Sequence, residues 1–428
     1  MKALINVNIF DYVDYRKDQY ILFDKQIREV GSMDKFEGCA EVYDLEGSLV
    51  MPSLVVGHTH IYSTFARGMN VPFNPRSFKE LLEQLWWKLD KELDNEATYQ
   101  SALVSGVEFI KNGVTTVFDH HASGRDILGS LENLKRALCE EMGLRGIFCV
   151  ESSERFTIED CIKENINFSR KNKSTKCAGM FGMHASMSLS DKSLYKIKNL
   201  IDDFSIHMHV AESLQEQQNC ASNHKMRVVE RLDNFGLINK DSILAHCIHI
   251  NEKEASIIAK NKAGIVVNPT SNMNNGVGLP DYNLFKEYGI DVMLGNDGLG
   301  YNMARESMNL LFCIKHKFKS PTAFSLDDLQ IVLQNNYKKA AEMLGIKLGR
   351  IREGYEADMV VMKYIPPTII NKENAFSHIF FGLFDNFSPT EVLCGGKFLM
   401  RKGKVNVNEN EIYEGARKVS EKIWKRLS

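Results

Sequence analysis

The sequence predicts an α/β protein: a (β/α)8 barrel of the TIM type, joined to a small β-sandwich domain that is assembled from both ends of the chain. Eight short apolar runs alternate with amphipathic, helix-like stretches over roughly 290 residues, a strand number and length typical of such a barrel. At both ends of the chain, short segments alternate between apolar and polar residues, which predicts antiparallel strands. A doubly wound parallel sheet is the competing fold.

The predicted barrel occupies residues 52–349, and the two-part sheet domain occupies residues 1–51 and 350–428. No internal repeat or Pro/Gly/Ser-rich linker interrupts the pattern, so we expect the two terminal segments to pair with each other. The predicted barrel strands lie at residues 54–57, 114–118, 144–150, 178–183, 204–210, 242–246, 264–268 and 289–295.

The composition is that of a soluble globular protein, with 44% hydrophobic and 25% charged residues. A formal charge of −2 gives no bias toward nucleic acid or anionic membranes, so the expected partner is a small molecule. The N-terminus lacks a signal-type hydrophobic block and no run of about 18 apolar residues follows, which predicts a cytoplasmic protein. Nine cysteines without C-x-x-C spacing indicate reduced thiols rather than disulfides.

A His-x-His pair, His58 and His60, stands at the end of the first predicted barrel strand in "VVGHTHIYSTFARGM". Side chains repeat every two residues on a strand, so both imidazoles are expected on the same side, where they could reach one metal ion. An isolated pair of this kind could equally be two hydrogen-bonded histidines in a loop. Histidines or an aspartate also end the fifth, sixth and eighth strands, in "HMHVAES", "LAHCIHI" and "LGNDGLG", and this recurrence favours a site.

These motifs resemble those of the amidohydrolase superfamily. The similarity lies in the branch that contains guanine deaminase, the methylthioadenosine/adenosylhomocysteine deaminases and the ATZ/TRZ triazine hydrolases, and within it is strongest to the SsnA-type aminohydrolases. It covers nearly the whole chain, and its motifs are specific only when taken together and in order. They are "MPSLVVGHTHIYSTFARGM", "LWWKLD", "GVTTVFDHHAS", "FGMHASMSLSD", "HMHVAES", "LAHCIHI", "NPTSNMNNGVG", "GNDG" and "EADMVVMKYIPPT".

The resemblance implies a metal site with four ligands. His58 and His60 match the first-strand ligands, and His209 matches the fifth-strand ligand. Asp297 matches the eighth-strand aspartate, which both binds the metal and handles a proton of water. Three imidazoles and one carboxylate suit zinc or ferrous iron. Binuclear members carry a lysine at the end of the fourth strand, and "AGMFGMHAS" has none, so we expect one ion.

The resemblance also implies the catalytic groups. Glu212 lies at the spacing after His209 that this branch uses for a proton-shuttling glutamate, and His246 matches the histidine that supports the attacking water or the tetrahedral oxygen. Because a metal ion lowers the pKa of bound water, Asp297 could take its proton and leave a hydroxide that attacks an sp² carbon. Glu212 could then protonate a ring nitrogen, and Glu212 and Asp297 are the available proton carriers for the departing amine.

Three further residues are predicted to contact the substrate. His184 follows the fourth strand and matches a family substrate contact, while His121 follows the second strand and rests on the SsnA-type match. Arg67, near the first-strand ligands, could hold a carboxylate or an anionic ring, and a structural salt bridge is the alternative. We expect His120 to be solvated.

Three neighbouring side chains are assigned no catalytic role. His207 and His249 are expected to be structural. Cys247 is not expected to act as a nucleophile with His246, because adjacent residues on a strand point to opposite faces.

The leading functional hypothesis is a metal-dependent aminohydrolase that deaminates a purine-like or related nitrogen heterocycle. A cyclic amidohydrolase that opens a heterocyclic ring at the same metal centre is the alternative. A non-catalytic binding or scaffold protein is a third possibility, disfavoured because such a protein has no need of a buried polar cluster. The resemblance also allows a homodimer.

Overall fold

The computed structural model describes residues 1–201 and 204–427, and within these residues the strands form three sheets. In chain order the strands are β1 (Lys2–Phe10), β2 (Tyr15–Phe23), β3 (Ile27–Ser32), β4 (Glu41–Asp44), β5 (Leu49–Pro52), β6 (Leu54–Thr59), β7 (Val114–His121), β8 (Arg145–Val150), β9 (Cys177–Gly179), β10 (Phe181–Ala185), β11 (Ile206–Val210), β12 (Ile243–His246), β13 (Gly264–Val267), β14 (Val292–Leu294), β15 (Met359–Met362), β16 (Glu391–Cys394), β17 (Lys397–Arg401) and β18 (Lys404–Val405).

Helices separate most of the central strands and cover them. In chain order they are α1 (Phe78–Leu81), α2 (Trp87–Glu92), α3 (Asn95–Lys111), α4 (Ser130–Leu134), α5 (Ile158–Lys171), α6 (Asp191–Lys198), α7 (Leu214–His224), α8 (Val228–Asn234), α9 (Glu252–Asn261), α10 (Pro269–Asn274), α11 (Tyr282–Glu287), α12 (Met303–Phe318), α13 (Leu326–Leu344), α14 (Ala375–Gly382) and α15 (Glu409–Leu427). Two π-helical turns, Leu82–Trp86 and Lys135–Glu141, join α1 to α2 and continue α4.

Two sheets are purely parallel, one with the order β6-β7-β8-β9 and the other with the order β10-β11-β12-β13-β14. Nearly all of their residues are buried, because helices cover the outer face and the strands pack inward. This double burial explains why they read as continuous apolar runs. Each of the eight predicted strands overlaps an observed strand, and the fourth is split into β9 and β10 at Met180.

Backbone hydrogen bonds join the two parallel sheets on both sides. On one side, the N–H of His60 donates to the carbonyl of Asp297 at 3.1 Å, and Asn296 donates to the carbonyl of His58 at 3.0 Å. On the other side, the N–H of His184 donates to the carbonyl of Ser152 at 3.0 Å. The fold is therefore α/β with parallel sheets whose strand ends converge.

Glycine is required where β6 meets the end of β14. A Cβ on Gly57 would lie 2.9 Å from the carbonyl oxygen of Leu294, and one on Gly295 would lie 2.7 Å from the carbonyl oxygen of His58. Both distances are shorter than side-chain contacts allow. The absence of side chains at these two positions lets the first and last parallel strands approach.

Both chain ends contribute to the third sheet, which has nine strands in the order β18-β17-β16-β15-β5-β1-β2-β3, with β4 paired to β1. The hairpins β1-β2, β2-β3 and β15-β16-β17 are antiparallel, whereas β1 pairs in parallel with β4 and β5. The predicted pairing of the two termini is therefore present. Their arrangement as a sandwich and the predicted domain bounds stay predictions.

The C-terminal helix α15 differs from the expected sheet structure of the last segment. Its apolar residues Ala416, Val419 and Ile423 recur at helical spacing and are buried against a cluster that includes Leu89 and Leu93. The helix thus packs beside α2 and α3, next to the loops that follow β6. Within the described residues, no helix combines the length and apolar content needed to cross a membrane.

Arg145 links the parallel strands to the terminal sheet. Its side chain is buried at the start of β8, donates two hydrogen bonds to Asp358 at 2.8 and 2.9 Å, and donates one to Glu356 at 2.7 Å. Asp358 also accepts the N–H of Gly395 at 2.6 Å. These contacts satisfy charges that would otherwise be buried without partners.

We expect Arg145→Met to lower the free energy of unfolding by about 3–5 kcal/mol, because it leaves two carboxylates buried without their cation. Urea unfolding followed by circular dichroism measures the change. Arg136→Met is the matched control, since Arg136 forms a largely exposed ion pair with Glu141 and its loss should cost less than about 1 kcal/mol. Equal effects of the two substitutions would contradict this assignment.

Candidate metal centre and active site

Four predicted ligands converge at the ends of β6, β11 and β14. One donor atom from each of His58, His60, His209 and Asp297 lies within 4.8 Å of the others. The Nε2 atom of His60 is 3.0 Å from Nε2 of His209 and 2.9 Å from Oδ1 of Asp297. Nε2 of His58 is 3.5 Å from the same carboxylate oxygen. The His-x-His pair is thus part of one compact donor cluster.

Backbone contacts orient two of these imidazoles. Nδ1 of His60 donates to the carbonyl of His120 at 2.6 Å, and Nδ1 of His209 donates to the carbonyl of His184 at 2.9 Å. Each ring therefore uses Nδ1 for a backbone hydrogen bond and turns Nε2 toward the cluster. Two Nε2 atoms that face each other at 3.0 Å need a proton or a cation between them, so the donor set fits a divalent metal ion.

Deeper histidines support the ligands from below. Nδ1 of His58 contacts Nε2 of His207 at 2.8 Å, which leaves Nε2 of His58 facing the cluster. His120 is fully buried, and its Nε2 donates to the carbonyls of Met183 and His207 at 3.0 and 3.1 Å. His207 is thus structural, as predicted. His120 is not solvated, contrary to expectation.

The charges of the cluster suit a cation. Burial lowers the pKa of His58 to about 4 and holds that of His209 well below its ordinary value, so both rings are neutral ligands. At His60, burial lowers the pKa but the carboxylate of Asp297 outweighs it and raises the value to about 9. The pKa of Asp297 stays well below its ordinary value despite burial, because His58 and His60 hydrogen-bond to it.

Asp297 also belongs to a second group of side chains with Glu212 and His246. Nε2 of His246 lies 3.7 Å from Oε2 of Glu212 and 4.0 Å from Oδ2 of Asp297. Nδ1 of His246 donates to Oδ1 of Asn272 at 2.8 Å, and Ser271 donates its hydroxyl proton to Oδ2 of Asp297. Burial and then the charge of Asp297 raise the pKa of Glu212 well above its ordinary value, which favours its protonated form.

Strained backbone sets the direction of these side chains. Ala211, His246 and Asp297 have φ values of 49°, 72° and 53°, the left-handed region that non-glycine residues rarely adopt. Each stands at or just after the end of a parallel strand. Such strain often accompanies functional positions, and here it turns the chain so that Glu212 and Asp297 face the same space.

A cavity opens above the donor cluster. Part of its wall is aromatic and comes from α1, the following π-helical turn and α2. The lining also includes several acids and one amide side chain. The lining residues are His60, Tyr62, Phe78, Leu82, Trp86, Trp87, Asp90, Glu151, His184, Ala185, Met187, His209, Glu212, Glu216, Ser271, Asn275, Asp297, Gly298 and Leu299.

Two buried acids in this wall share one arginine. Arg155 pairs with Asp90 at 3.0 Å and with Glu151, and its guanidinium lies 5.1 Å from the Trp87 ring centroid. Oδ1 of Asp90 has no hydrogen-bond partner within the described residues. These side chains form the acidic end of the cavity, where the carboxylates neutralise Arg155 and burial raises the pKa of Glu151 to about 8.

The predicted substrate contacts fall in different places. His184 lines the cavity, with Nδ1 bonded to Ser188 at 2.7 Å and Nε2 4.0 Å from Glu151. His121 does not line it: the ring is fully buried and bonds to Thr98 of α3 at 3.0 Å. The reason is strand alternation, since His120 points inward on β7 and His121 points outward.

Arg67 is exposed and borders an adjoining cavity rather than the one above the cluster. Its guanidinium lies 5.7 Å from the Tyr301 ring centroid. The structural salt bridge considered from the sequence is absent from the described residues.

The remaining predicted side chains have structural contacts. Nε2 of His249 donates to the carbonyl of Val277 at 2.8 Å, consistent with the structural role expected for it. Cys247 is fully buried, and burial raises the pKa of its thiol well above the ordinary value, so it is a poor nucleophile. All nine cysteines of the chain are unpaired.

Sequence reasoning missed several residues of the site. Trp86 and Trp87 stand in "LWWKLD", and Ser271, Asn272 and Asn275 stand in "NPTSNMNNGVG". Both motifs carried the resemblance, so they were available signals, but no role was derived for their residues. Asp90 ends the same "LWWKLD" motif and Glu151 directly follows the third predicted barrel strand, but neither was assigned a role, because single acids are usually solvated.

Comparison with known proteins agrees with this geometry. The 5'-deoxyadenosine deaminase of Methanocaldococcus jannaschii is 28% identical over 425 residues, covering 96% of this chain and 97% of that protein. The 5-methylthioadenosine/S-adenosylhomocysteine deaminase of Aquifex aeolicus is 29% identical over 401 residues, covering 90% and 89%. The crystal structure of an adenosine deaminase from Xanthomonas campestris with bound zinc superposes with a TM-score of 0.83 at 18% identity, covering 99% and 98%.

The sequence model of the amidohydrolase family matches residues 49–399, which is most of the chain. Together with the converging donor cluster at the strand ends, this match means that the chain belongs to the amidohydrolase family, as its motifs predict.

Proposed function

We propose that this protein is a metal-dependent aminohydrolase that deaminates a purine-like nitrogen heterocycle. The observation that carries the proposal is the placement of Glu212 within 4.8 Å of Asp297, a carboxylate that also belongs to the metal cluster, in a buried setting that favours the protonated form of Glu212. Two relatives aligned over most of their length are named as deaminases of adenine nucleosides, which supports the substrate class. We further propose that the two parallel sheets form one closed (β/α)8 barrel.

The metal is proposed to be a single zinc or iron ion held by His58, His60, His209 and Asp297. Zinc is favoured because three imidazoles and one carboxylate are donors it prefers and because the similar Xanthomonas campestris structure contains zinc. When bound, such an ion would act as a Lewis acid that lowers the pKa of a water molecule.

The side chains around this position can complete the reaction. Asp297 accepts a proton from the attacking water, while Ser271 holds its other oxygen in place. His246, oriented by Asn272, supports the oxygen that adds to the ring carbon. Glu212 donates its proton to the adjacent ring nitrogen as the C–O bond forms. Asp297 then passes the proton from water to the exocyclic nitrogen, and the C–N bond breaks as ammonia leaves. The added hydroxyl returns its proton to Glu212 as the C=O bond forms.

Ring opening of a cyclic amide at the same centre is the second candidate function. It needs the same water activation, but the leaving nitrogen stays attached to the product. The two reactions differ in one measurable product, because only deamination releases ammonia. Assays of adenosine, guanine and cyclic amides that measure ammonia release and ultraviolet change in parallel separate them.

We expect about one equivalent of zinc or iron per chain, measured by elemental analysis of the purified protein. His60→Ala should retain much less metal, because its Nε2 lies at the centre of the donor cluster. His249→Ala should retain a normal amount, since its ring bonds to Val277 outside the cluster. Two equivalents per chain, or full metal content in His60→Ala, would contradict the site.

We expect Glu212→Gln to lower kcat by about 10² to 10⁴-fold, because the amide cannot carry the proton that the ring nitrogen needs. Its metal content should remain normal, since Glu212 is not among the four ligands. Glu140→Gln, at a largely exposed glutamate, is the matched control. Near-normal turnover of Glu212→Gln would show that the proton path runs elsewhere.

We expect His184→Ala to lower kcat/KM by about tenfold, because the Nε2 atom that faces the cavity can hydrogen-bond to the heterocycle. Metal content should not change. His316→Ala, at an exposed histidine of α12, controls for general effects of losing an imidazole. Unchanged kinetics with every accepted substrate would remove His184 from the binding site.

A further inference from the structure

A second cavity adjoins the one above the metal cluster. The two share Trp86, Asn275, Gly298 and Leu299 as lining residues, so they adjoin at these residues. The active-site reaction described above makes no use of the second cavity. Its other lining residues include two arginines, Arg67 and Arg305.

The segment from α1 to α2 forms part of the wall between the cavities. Phe78, Leu82 and Trp86 are spaced by four residues and line the active-site cavity, whereas Leu81 and Leu85 line the second cavity. Trp86 ends the π-helical turn and borders both. The two cavities therefore adjoin at Trp86, whose ring lies close to Gly298.

The positive charge of the second cavity is available to a ligand. Within residues 1–201 and 204–427, Arg67 forms no ion pair and no side-chain hydrogen bond. Its guanidinium lies 5.7 Å from the Tyr301 ring centroid. Arg305 donates to the carbonyl of Leu299 at 3.0 Å and lies 3.4 Å from Glu306. Arg155, by contrast, is neutralised by two carboxylates at the acidic end of the active-site cavity.

We propose that the second cavity binds an anionic substituent, a carboxylate or a phosphate, of a substrate whose heterocycle lies in the active-site cavity. Guanidinium groups bind both anions through charge-assisted, paired hydrogen bonds. Arg67 and Arg305 supply positive charge to the second cavity, so they fix the direction in which such a substituent extends. This inference rests on the proposed function and adds the charge of the substrate to it.

The test compares three compounds with one heterocycle: adenosine, adenosine 5′-monophosphate and adenosine-5′-carboxylic acid. We expect Arg67→Met and Arg305→Met each to lower the ratio of kcat/KM for an anionic compound to that for adenosine by about tenfold. Arg67→Lys should lower this ratio less, because it keeps the charge. Arg136→Met is the matched control, since Arg136 is also an exposed arginine over a tyrosine ring and its loss should leave the ratio unchanged.

The outcomes test the second site separately from the proposed function. If adenosine is deaminated but the ratios do not respond to Arg67 or Arg305, the second site is disproved and the proposed function stands. A response confined to the phosphate or to the carboxylate identifies the anion. If none of the compounds is turned over, calorimetric titration of the metal-loaded protein tests whether the second cavity binds an anion. Binding of adenosine 5′-monophosphate that exceeds that of adenosine and weakens in Arg67→Met supports the site, and equal or absent binding overturns it.

Discussion

The N–H groups of Asn296 and Asp297 both donate to the carbonyl of His58, and the N–H of His60 donates back to the carbonyl of Asp297. These bonds join the first parallel strand to the segment after the last one, so the contact that connects the sheets also brings three metal ligands together. It requires glycine at Gly295, since any side chain there would overlap the His58 backbone. Fold and site therefore cannot be altered independently at this position.

The donor cluster packs on further buried imidazoles, which the chain does not need for a stable fold. Buried imidazoles lose their hydration, and this cost is offset only where each ring finds a partner. His120 and His207 find theirs in backbone carbonyls and in the ring of His58, and thereby set the rotation and tautomer of the ligands above them. The cluster is thus held in place before any metal binds.

The parallel strands and the ligands at their ends could be predicted from the sequence, because they depend on strand periodicity and strand order. The parallel strands are buried on both faces and so read as apolar runs, and ligands at strand ends follow from the α/β order. The sequence did not predict the side-chain directions that depend on a one-residue change of register or on a single backbone dihedral angle. His120 and His121 are adjacent, and only the pairing of β7 with β8 shows which points inward. The positive φ of Ala211, which aims Glu212, has no sequence signal because alanine carries no preference for it.

The two ends of the active-site cavity differ in charge for separate physical reasons. At one end, the negative charge of Asp297 belongs to a donor cluster that fits a cation. At the other end, Asp90, Glu151 and Arg155 form a buried group of two acids and one base, and burial raises the pKa of Glu151 to about 8. Burying charged groups costs free energy even when they are paired. The position of this group in the wall of the cavity is therefore better explained by ligand binding than by stability.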